Sequence, residues 1–487
     1  MRAGSLCFTG ELCSCLSVPS GCRTPGNGSS VTCKKLLSAN WGYDNFMSVK
    51  SHKELTRIMR SELCNRCGTC VALSGGKIVF ADREKKYRPI LIGELEDAEA
   101  NRILNACAGK KFSFPEHRKH FYPESAHFHP YTGPYENIYI GNSTDPEIRV
   151  NAGSGGILSA VLVYLLEKKM IDGAIVTRMS KEKPWLTEPF IAKTREEILE
   201  AAQSKYIITS VNEILAESSE FEGNLAYVGL PGQVQSIRKL QKSGDPSVAN
   251  IKYIFGPFYG NTLYFSSVRS FIRSYGEKDY RKIRKLWFRH GEWPGNMRVE
   301  MEDGKIFELK KFHANYLIPF HILKNSLFCT DLANEFTDLS GGDAWSPKYE
   351  ERGKGFSIII PRTRVGQEIL DNMKRDGRLE MTSCSEEDAI SMHSHGYDLK
   401  KRGSFIRIRF RRMFLRQVPD YGYTLSGFPF SRYLMELMIS SLFLLLGSWP
   451  ARRTVELFKP EFIGKIFEKS RTTWKKSTHS IKRKDLG

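Results

Sequence analysis

The 487-residue chain has no apolar run of the roughly 20 residues a helix needs to cross a bilayer. Its longest, LMISSLFLLLGSW from Leu437 to Trp449, is 13 residues. It predicts a buried helix, with a membrane-surface or partner-docking helix as the alternative because a basic tail follows. No apolar stretch near the start is long enough for a signal peptide. Negative charge is in the minority: 54 Asp and Glu against 73 Lys and Arg leave a formal +19. That favours acidic partners, whether nucleic acid, an anionic membrane, or a small molecule carrying phosphates and carboxylates. No nucleic-acid motif is recognisable, so a small molecule or a protein leads. Of 11 cysteines, Cys7, Cys13, Cys15, Cys22 and Cys33 crowd the first 33 residues, and the remainder of the chain is cysteine-poor apart from one short run.

That run is CNRCGTC, residues 64 to 70, three cysteines at two-residue intervals. A structural zinc would want a second C-x-x-C or a histidine pair nearby to close its tetrahedron, and neither is present. An iron–sulfur cluster takes four thiolates, three of which such a run can supply from one tight turn. Cys107, in NACAGK, is the evident fourth. A 4Fe-4S cluster on Cys64, Cys67, Cys70 and Cys107 is therefore expected, against the plainer alternative of three incidental buried thiols. Cluster thiols and the missing export signal together predict a cytoplasmic setting.

Residues 1–46 are Ser-, Gly- and Cys-rich without helical or strand period, and are expected to be a disordered leader or a misassigned start. Residues 47–120 form a small segment holding the four cysteines, with a short strand KIVFA; it looks too small to bury much without a metal staple. A linker, FYPESAHFHPYTGPY, follows, with His127 and His129 expected as unordered surface residues. YENIYIGNS reads as a strand, NAGSGG as a turn opening a helix from Ile157 to Lys169, and AIVTRM as the next strand. REEILEAAQSKYI, a helix, NLAYVGLPGQVQSIRKLQ, a strand, turn and helix, and IKYIFGPFYG, a strand, continue the alternation. The predicted class is α/β (α+β), a small ferredoxin-like iron–sulfur segment before an α/β core. FIRIRFRR alternates Arg407, Arg409 and Arg411 with apolar residues, and predicts a charged edge strand or an anion site. Residues 413–487 are expected to be an apolar helix and a solvated basic tail.

NAGSGG is a place where backbone amides at a helix N-terminus can meet a phosphate, although it is neither a strict G-x-G-x-x-G nor a P-loop, and a tight structural turn would also explain it. Taken in order, NAGSGGILSAVLVYLLEKKMIDGAIV, AKTREEILEAAQSKYI, YVGLPGQVQSIRKL, FRHGEWPGN and CTDLANEFTDLSGGDAW resemble the beta-subunit family of coenzyme F420 hydrogenases and dehydrogenases. The resemblance runs from about Tyr131 to Arg412. It implies a flavin-binding N-terminal domain over 131–210, a C-terminal domain over 211–412, FAD, a 4Fe-4S cluster and coenzyme F420 as substrate. A deazaflavin exchanges electrons in pairs and a cluster singly, so a flavin between them acts as converter. By position, Asn151, Gly153, Ser154, Gly155 and Gly156 correspond to the family's flavin-phosphate turn. Ser204, Lys205 and Tyr206 match its S-K-Y element, where a lysine could pair a phosphate, and Gly229, Pro231 and Gln233 its G-x-P-C-Q turn.

The chain departs from the family at Gly232 and at Ser326, where many members carry cysteine, and in GPFYG. Cys329 alone cannot hold a second cluster, so one cluster is expected and Cys329 reads as a small buried hydrophobe. The implied function is an oxidoreductase subunit that exchanges a hydride with F420 through FAD and passes electrons through the cluster to a hydrogenase, dehydrogenase or ferredoxin partner. Two alternatives remain: a ferredoxin-linked flavin reductase of another substrate, as in relatives that reduce a hydroxymethyl chlorophyll, and a non-catalytic electron-transfer or scaffold subunit. Peripheral membrane contact through 437–449 and the basic tail is a further expectation.

Overall fold

In the computed structural model, which describes residues 51–82, 87–349, 353–483 and 486, the β–turn–α–β order of the sequence becomes one large mixed sheet. Two short antiparallel pairs precede it, β1 (Ile78–Ala81) with β2 (Arg88–Leu91) and β3 (His127–His129) with β4 (Gly133–Tyr135). The sheet begins with β5 (Tyr139–Ser143), β6 (Gly173–Met179), β7 (Thr187–Ala192), β8 (Leu225–Val228) and β9 (Ile251–Pro257). A separate antiparallel sheet of β10 (Ile283–His290), β11 (Asn296–Met301) and β12 (Ile306–Lys310) interrupts it, and β13 (Leu339–Asp343), β14 (Ser357–Pro361) and β15 (Leu379–Ser383) complete it. The order across the large sheet is β15-β5-β14-β13-β9-β8-β6-β7. Its central strands β13, β9, β8 and β6 are parallel and the flanking strands antiparallel.

Period-two alternation sends successive residues to opposite faces, and both faces of the parallel strands are covered. Ala174, Val176, Ala226 and Phe255 share one core with Val161 and Leu165 of the helix Ile157–Glu167. Ile175, Tyr227 and Ile254 share the other with Val234, Ile237 and Leu240 of the helix Pro231–Lys242. The cysteine segment does not stand apart from this second core. Leu55, Met59, Ile78, Ile103, Phe112 and Phe114 belong to it, so the segment draws its apolar partners from the sheet's own helix rather than depending on a metal alone.

Several expectations are corrected. FIRIRFRR lies in a helix, Ser404–Met413, not a strand. Phe405 and Ile408, three apart, reach the core together, Arg407 is buried against Glu436, and Arg411 pairs with Glu62 while Arg409 stays exposed. The REEILE helix is short, Arg195–Glu200, and His127 and His129 are ordered in β3. The tail is helical over Trp449–Val455 and Pro460–Ser477. The apolar run lies in the helix Phe430–Leu446 and its flank, but Leu437, Met438, Leu442, Leu444, Leu445 and Trp449 are exposed. The proposed leader and its five cysteines lie outside the described residues.

Candidate functional site

The cysteine loop is shaped by two residues in the left-handed region, Arg66 at φ 65° and Gly68 at φ 98°. Position 68 tolerates only glycine: a Cβ there would stand 2.6 Å from the Glu213 amide nitrogen and 2.9 Å from the Ser210 carbonyl oxygen. The loop is fastened to its surroundings by polar contacts. Asn65 Nδ2 donates to the Gly232 carbonyl at 3.1 Å, the Cys67 amide donates to Asn65 Oδ1 at 3.0 Å, and the Asn212 amide donates to the Cys67 carbonyl at 2.9 Å. Arg66 donates to the carbonyls of Cys64 and Tyr87. Cys107 caps the helix Asp97–Ala106, and its carbonyl accepts from Lys239 Nζ at 2.8 Å.

The four thiols lie within electrostatic reach of one another. Burial, and then the charges of Cys64, Cys67 and Cys107, hold the Cys70 thiol well above its ordinary value. Burial, with Cys67 and Cys64, pushes Cys107 up to about 12. Such thiols surrender their protons to a bound metal rather than to water. Hydroxyls of Thr69 and Ser236 stand 3.3 and 3.7 Å from Cys67 Sγ. Among the described residues, no three His, Cys, Asp or Glu are placed to share a single metal ion. A four-iron cluster spreads its four thiolates over the whole cluster rather than around one ion, and this all-thiol set, with Cys67 buried and the other three half-buried, fits it in kind.

Gly229, Pro231 and Gln233 belong to this centre and not to the glycine turn. Pro231 starts the helix on which the cysteine loop rests, Gln233 accepts from the Leu230 amide at 2.7 Å and donates to the Thr209 carbonyl at 2.5 Å, and the Gly229 carbonyl accepts from Asn334. Where relatives would carry further cysteines, Ser326 Oγ is 2.5 Å from the Tyr259 hydroxyl. The buried Lys400 ammonium donates to the Ser326 carbonyl at 2.8 Å and lies 4.1 Å from the Tyr259 ring centre. Cys329 is buried, its Sγ donating to the Asp331 carbonyl at 3.5 Å.

The glycine turn forms a second centre. Gly156, at φ 81°, caps the helix Ile157–Glu167. Gly155 is pressed against the sheet: its amide donates to Ser357 Oγ at 2.9 Å, its carbonyl accepts from Ser143 at 2.7 Å, and a Cβ would meet the Gly141 carbonyl at 2.4 Å. Ser154 Oγ lies 2.7 Å from the same Ser357 hydroxyl, and Asn151 Nδ2 donates to the Glu147 carbonyl. Gly153 is different, since a Cβ there would make only ordinary contacts, at 3.5 Å to Arg289 Nη1 and 3.6 Å to Ser204 Oγ. The turn and the S-K-Y element are therefore neighbours at Gly153 and Ser204. Lys205 itself points elsewhere. Its ammonium donates to the carbonyls of Ala201, Ala202 and Gln203 behind the helix Arg195–Glu200, and burial lowers it to about 7.

Arg289, Asp343 and Lys311 are charged residues of this centre that motif reading left unassigned. Arg289, only 3% exposed in its side chain, reaches from β10 to Asp343 at the carboxyl end of β13, with N–O distances of 3.2 Å. Burial opposes the Arg289 charge, and Asp343 and Tyr206 more than restore it. Burial would raise the Tyr206 phenol, but Lys311 and Arg289 bring it below its ordinary value. Trp293 and Trp345 lie 5.3 Å apart by ring centres, and the Lys311 ammonium is 4.6 Å over Trp345. Arg149, two residues before the turn, has a buried Nη1 with no hydrogen-bond partner among the described residues. A glycine without a clash beside a paired arginine fits a phosphate-bearing planar cofactor.

Residues 138–216 match the family described as coenzyme F420 hydrogenase/dehydrogenase, beta subunit N-terminal part, and residues 222–387 match its C-terminal part. The coenzyme F420 hydrogenase subunit beta of Methanosarcina barkeri is 31% identical over 266 residues, covering 53% of this chain and 85% of the relative. The coenzyme F420-dependent sulfite reductase of Methanocaldococcus jannaschii is 27% identical over 333 residues, covering 65% of this chain and 47% of the relative. Among solved structures, a chain from the F420-reducing [NiFe] hydrogenase complex of Methanosarcina barkeri matches at 25% identity and a TM-score of 0.48, over 60% of this chain and 99% of that one.

Proposed function

Because this chain belongs to the coenzyme F420 hydrogenase/dehydrogenase beta-subunit family, we propose that it is an F420-linked oxidoreductase subunit that carries FAD at the glycine turn and one 4Fe-4S cluster on Cys64, Cys67, Cys70 and Cys107. The observation that carries the reading is the gathering of Cys64, Cys67 and Cys70 on a loop hydrogen-bonded to the helix at Pro231–Lys242, with Cys107, at the end of the helix Asp97–Ala106, within electrostatic reach of them. When bound, the flavin would accept an electron pair from reduced F420, and the cluster would take the electrons one at a time toward a partner protein.

The chain's own residues hold and orient. Arg289, kept charged by Asp343, would offer its guanidinium to phosphate oxygens beside Gly153. The Tyr206 phenol, brought below its ordinary value by Lys311 and Arg289, and the Lys311 ammonium lie beside Arg289 and Asp343, and Trp293 and Trp345 form an aromatic wall suited to a flat ring system. Asn65, Arg66 and Asn212 fix the cysteine loop by its backbone, so the thiols are pre-positioned. Lys239 brings positive charge to the Cys107 carbonyl, where it offsets the negative charge of thiolates.

Anaerobically purified protein should contain about four irons per chain and should release FAD on denaturation. Zinc in place of iron, or a colourless protein, contradicts the proposal, and iron without flavin favours the non-catalytic electron-transfer or scaffold subunit. A yellow-brown protein that reduced F420 fails to bleach favours a reductase of another substrate.

A further inference from the structure

The helix Phe430–Leu446 is apolar on two sides. Inward, its first half is charged and its second half apolar: Arg432 Nε donates to Asp398 at 2.8 Å and its Nη2 lies 2.9 Å from Glu436, which also pairs with Arg407, all of them buried, and further along Ile439 is buried while Phe443 and Leu446 pack against a core cluster. Its outward face is apolar, with Phe430, Leu434, Leu437, Met438, Leu442 and Leu445 recurring at helical spacing and each about half exposed or more. At the far end the chain bends by 73° into Trp449–Val455, with Trp449 67% exposed at the bend. Leu457 and Phe458 follow, and on Pro460–Ser477 the exposed Phe462 and Ile466 share one helical face with the exposed Lys465 and Lys469. The nearby acids are paired, Glu456 with Arg453, Glu461 with Tyr275 and the partly exposed Glu468 with His313. All of this lies beyond residue 387, where the family match ends.

We infer that this face seats the protein on an anionic lipid surface, lying in the interface and not crossing it. This goes beyond the proposed redox function and does not rest on it. A contiguous apolar stripe of this extent calls for a cover. Lysines interleaved with phenylalanine and isoleucine, and a tryptophan at the bend, match a headgroup boundary, where apolar side chains enter the acyl region and cations meet phosphates. Among the described residues no single helix is long and apolar enough to cross a membrane; Phe430–Leu446 and Trp449–Val455 together have the length and composition, but they are bent by 73° and the buried Arg432–Asp398 and Arg407–Glu436 pairs tie the first of them to the body, which favours lying in the interface over crossing it.

The test is co-sedimentation of the full chain with mixed phosphatidylcholine and phosphatidylglycerol vesicles, with size-exclusion chromatography alongside. The wild type is expected to sediment with these vesicles, less with phosphatidylcholine alone and less at high salt. Leu437→Glu combined with Leu445→Glu, both at exposed positions, should reduce sedimentation roughly tenfold or more while leaving far-UV circular dichroism unchanged. Lys465→Gln with Lys469→Gln should weaken the preference for the anionic vesicles. A wild type that stays in the supernatant, or a leucine variant that sediments equally, overturns the inference. So does a vesicle-indifferent dimer that the leucine variant turns into a monomer, because a second copy would then be the cover.

Discussion

Asn65 and Gly232 lie in direct contact, the Asn65 carboxamide donating to the Gly232 carbonyl at 3.1 Å across the junction between the cysteine loop and the helix behind it. A Cβ on residue 232 would stand 2.4 Å from Asn65 Nδ2 and 3.0 Å from its Cγ. Gly232 is therefore built into the seat of the C-N-R-C turn. Restoring cysteine, Gly232→Cys, should not add a ligand but unseat Asn65. The expected result is a loss of ~1–3 kcal/mol in stability and a lower iron content, read by urea denaturation and iron assay.

Cys67 and Cys329 should differ sharply. Cys67→Ser should remove most of the iron, yet leave the fold largely intact in circular dichroism, because Leu55, Ile103 and Phe112 remain in the core shared with Val234 and Ile237. Cys329→Ala should leave iron unchanged, since its neighbours Asp331, Lys400 and Ser326 offer no further thiol. A loss of about half the iron in Cys329→Ala would reveal a second cluster.

Two glycines of one turn should behave oppositely. Gly155→Ala drives a methyl to 2.4 Å from the Gly141 carbonyl, so its cost falls on folding and should appear as a lowered melting temperature. Gly153→Ala meets Arg289 and Ser204 at ordinary distances and should fold normally. Its added methyl fills space beside Arg289, so flavin content should fall while stability holds. Full flavin occupancy in Gly153→Ala would place the phosphate elsewhere.

Lys205 should contribute to stability in a pH-dependent way. Its pKa is about 7 in the folded protein against 10.5 for the free side chain. Between those values the unfolded chain binds the extra proton, so stability should rise with pH across that window, with a slope of up to ~1.4 kcal/mol per pH unit. Lys205→Met should abolish the rise, measured by urea denaturation at about pH 7.5 and about pH 9.5, and should leave flavin bound because the lysine serves carbonyls of its own helix end.

The local chemistry was readable in the sequence, and the long-range pairing was not. C-x-x-C-x-x-C and Gly68 signal themselves within seven residues, and the strands at Tyr139, Gly173, Leu225 and Ile251 follow from alternation and turn residues. Arg289 and Asp343 are 54 positions apart, and only the packing of β10 beside the end of β13 joins them, although each sits in a quoted motif. FIRIRFRR alternates like a strand, but Arg407 finds Glu436 29 residues away, which allows a buried helix that local pattern cannot foresee. The apolar run at 437–449 was expected inside because leucines usually are; its helix instead turns Arg432 and Glu436 inward.

The most direct test of the redox assignment is the anaerobic visible spectrum of the purified chain before and after addition of reduced coenzyme F420. The assignment predicts flavin absorption on a broad iron–sulfur background that bleaches as F420 is oxidised. A flavin and iron–sulfur spectrum that reduced F420 leaves unchanged would contradict the F420 link, and a spectrum with neither chromophore would contradict the account at its centre.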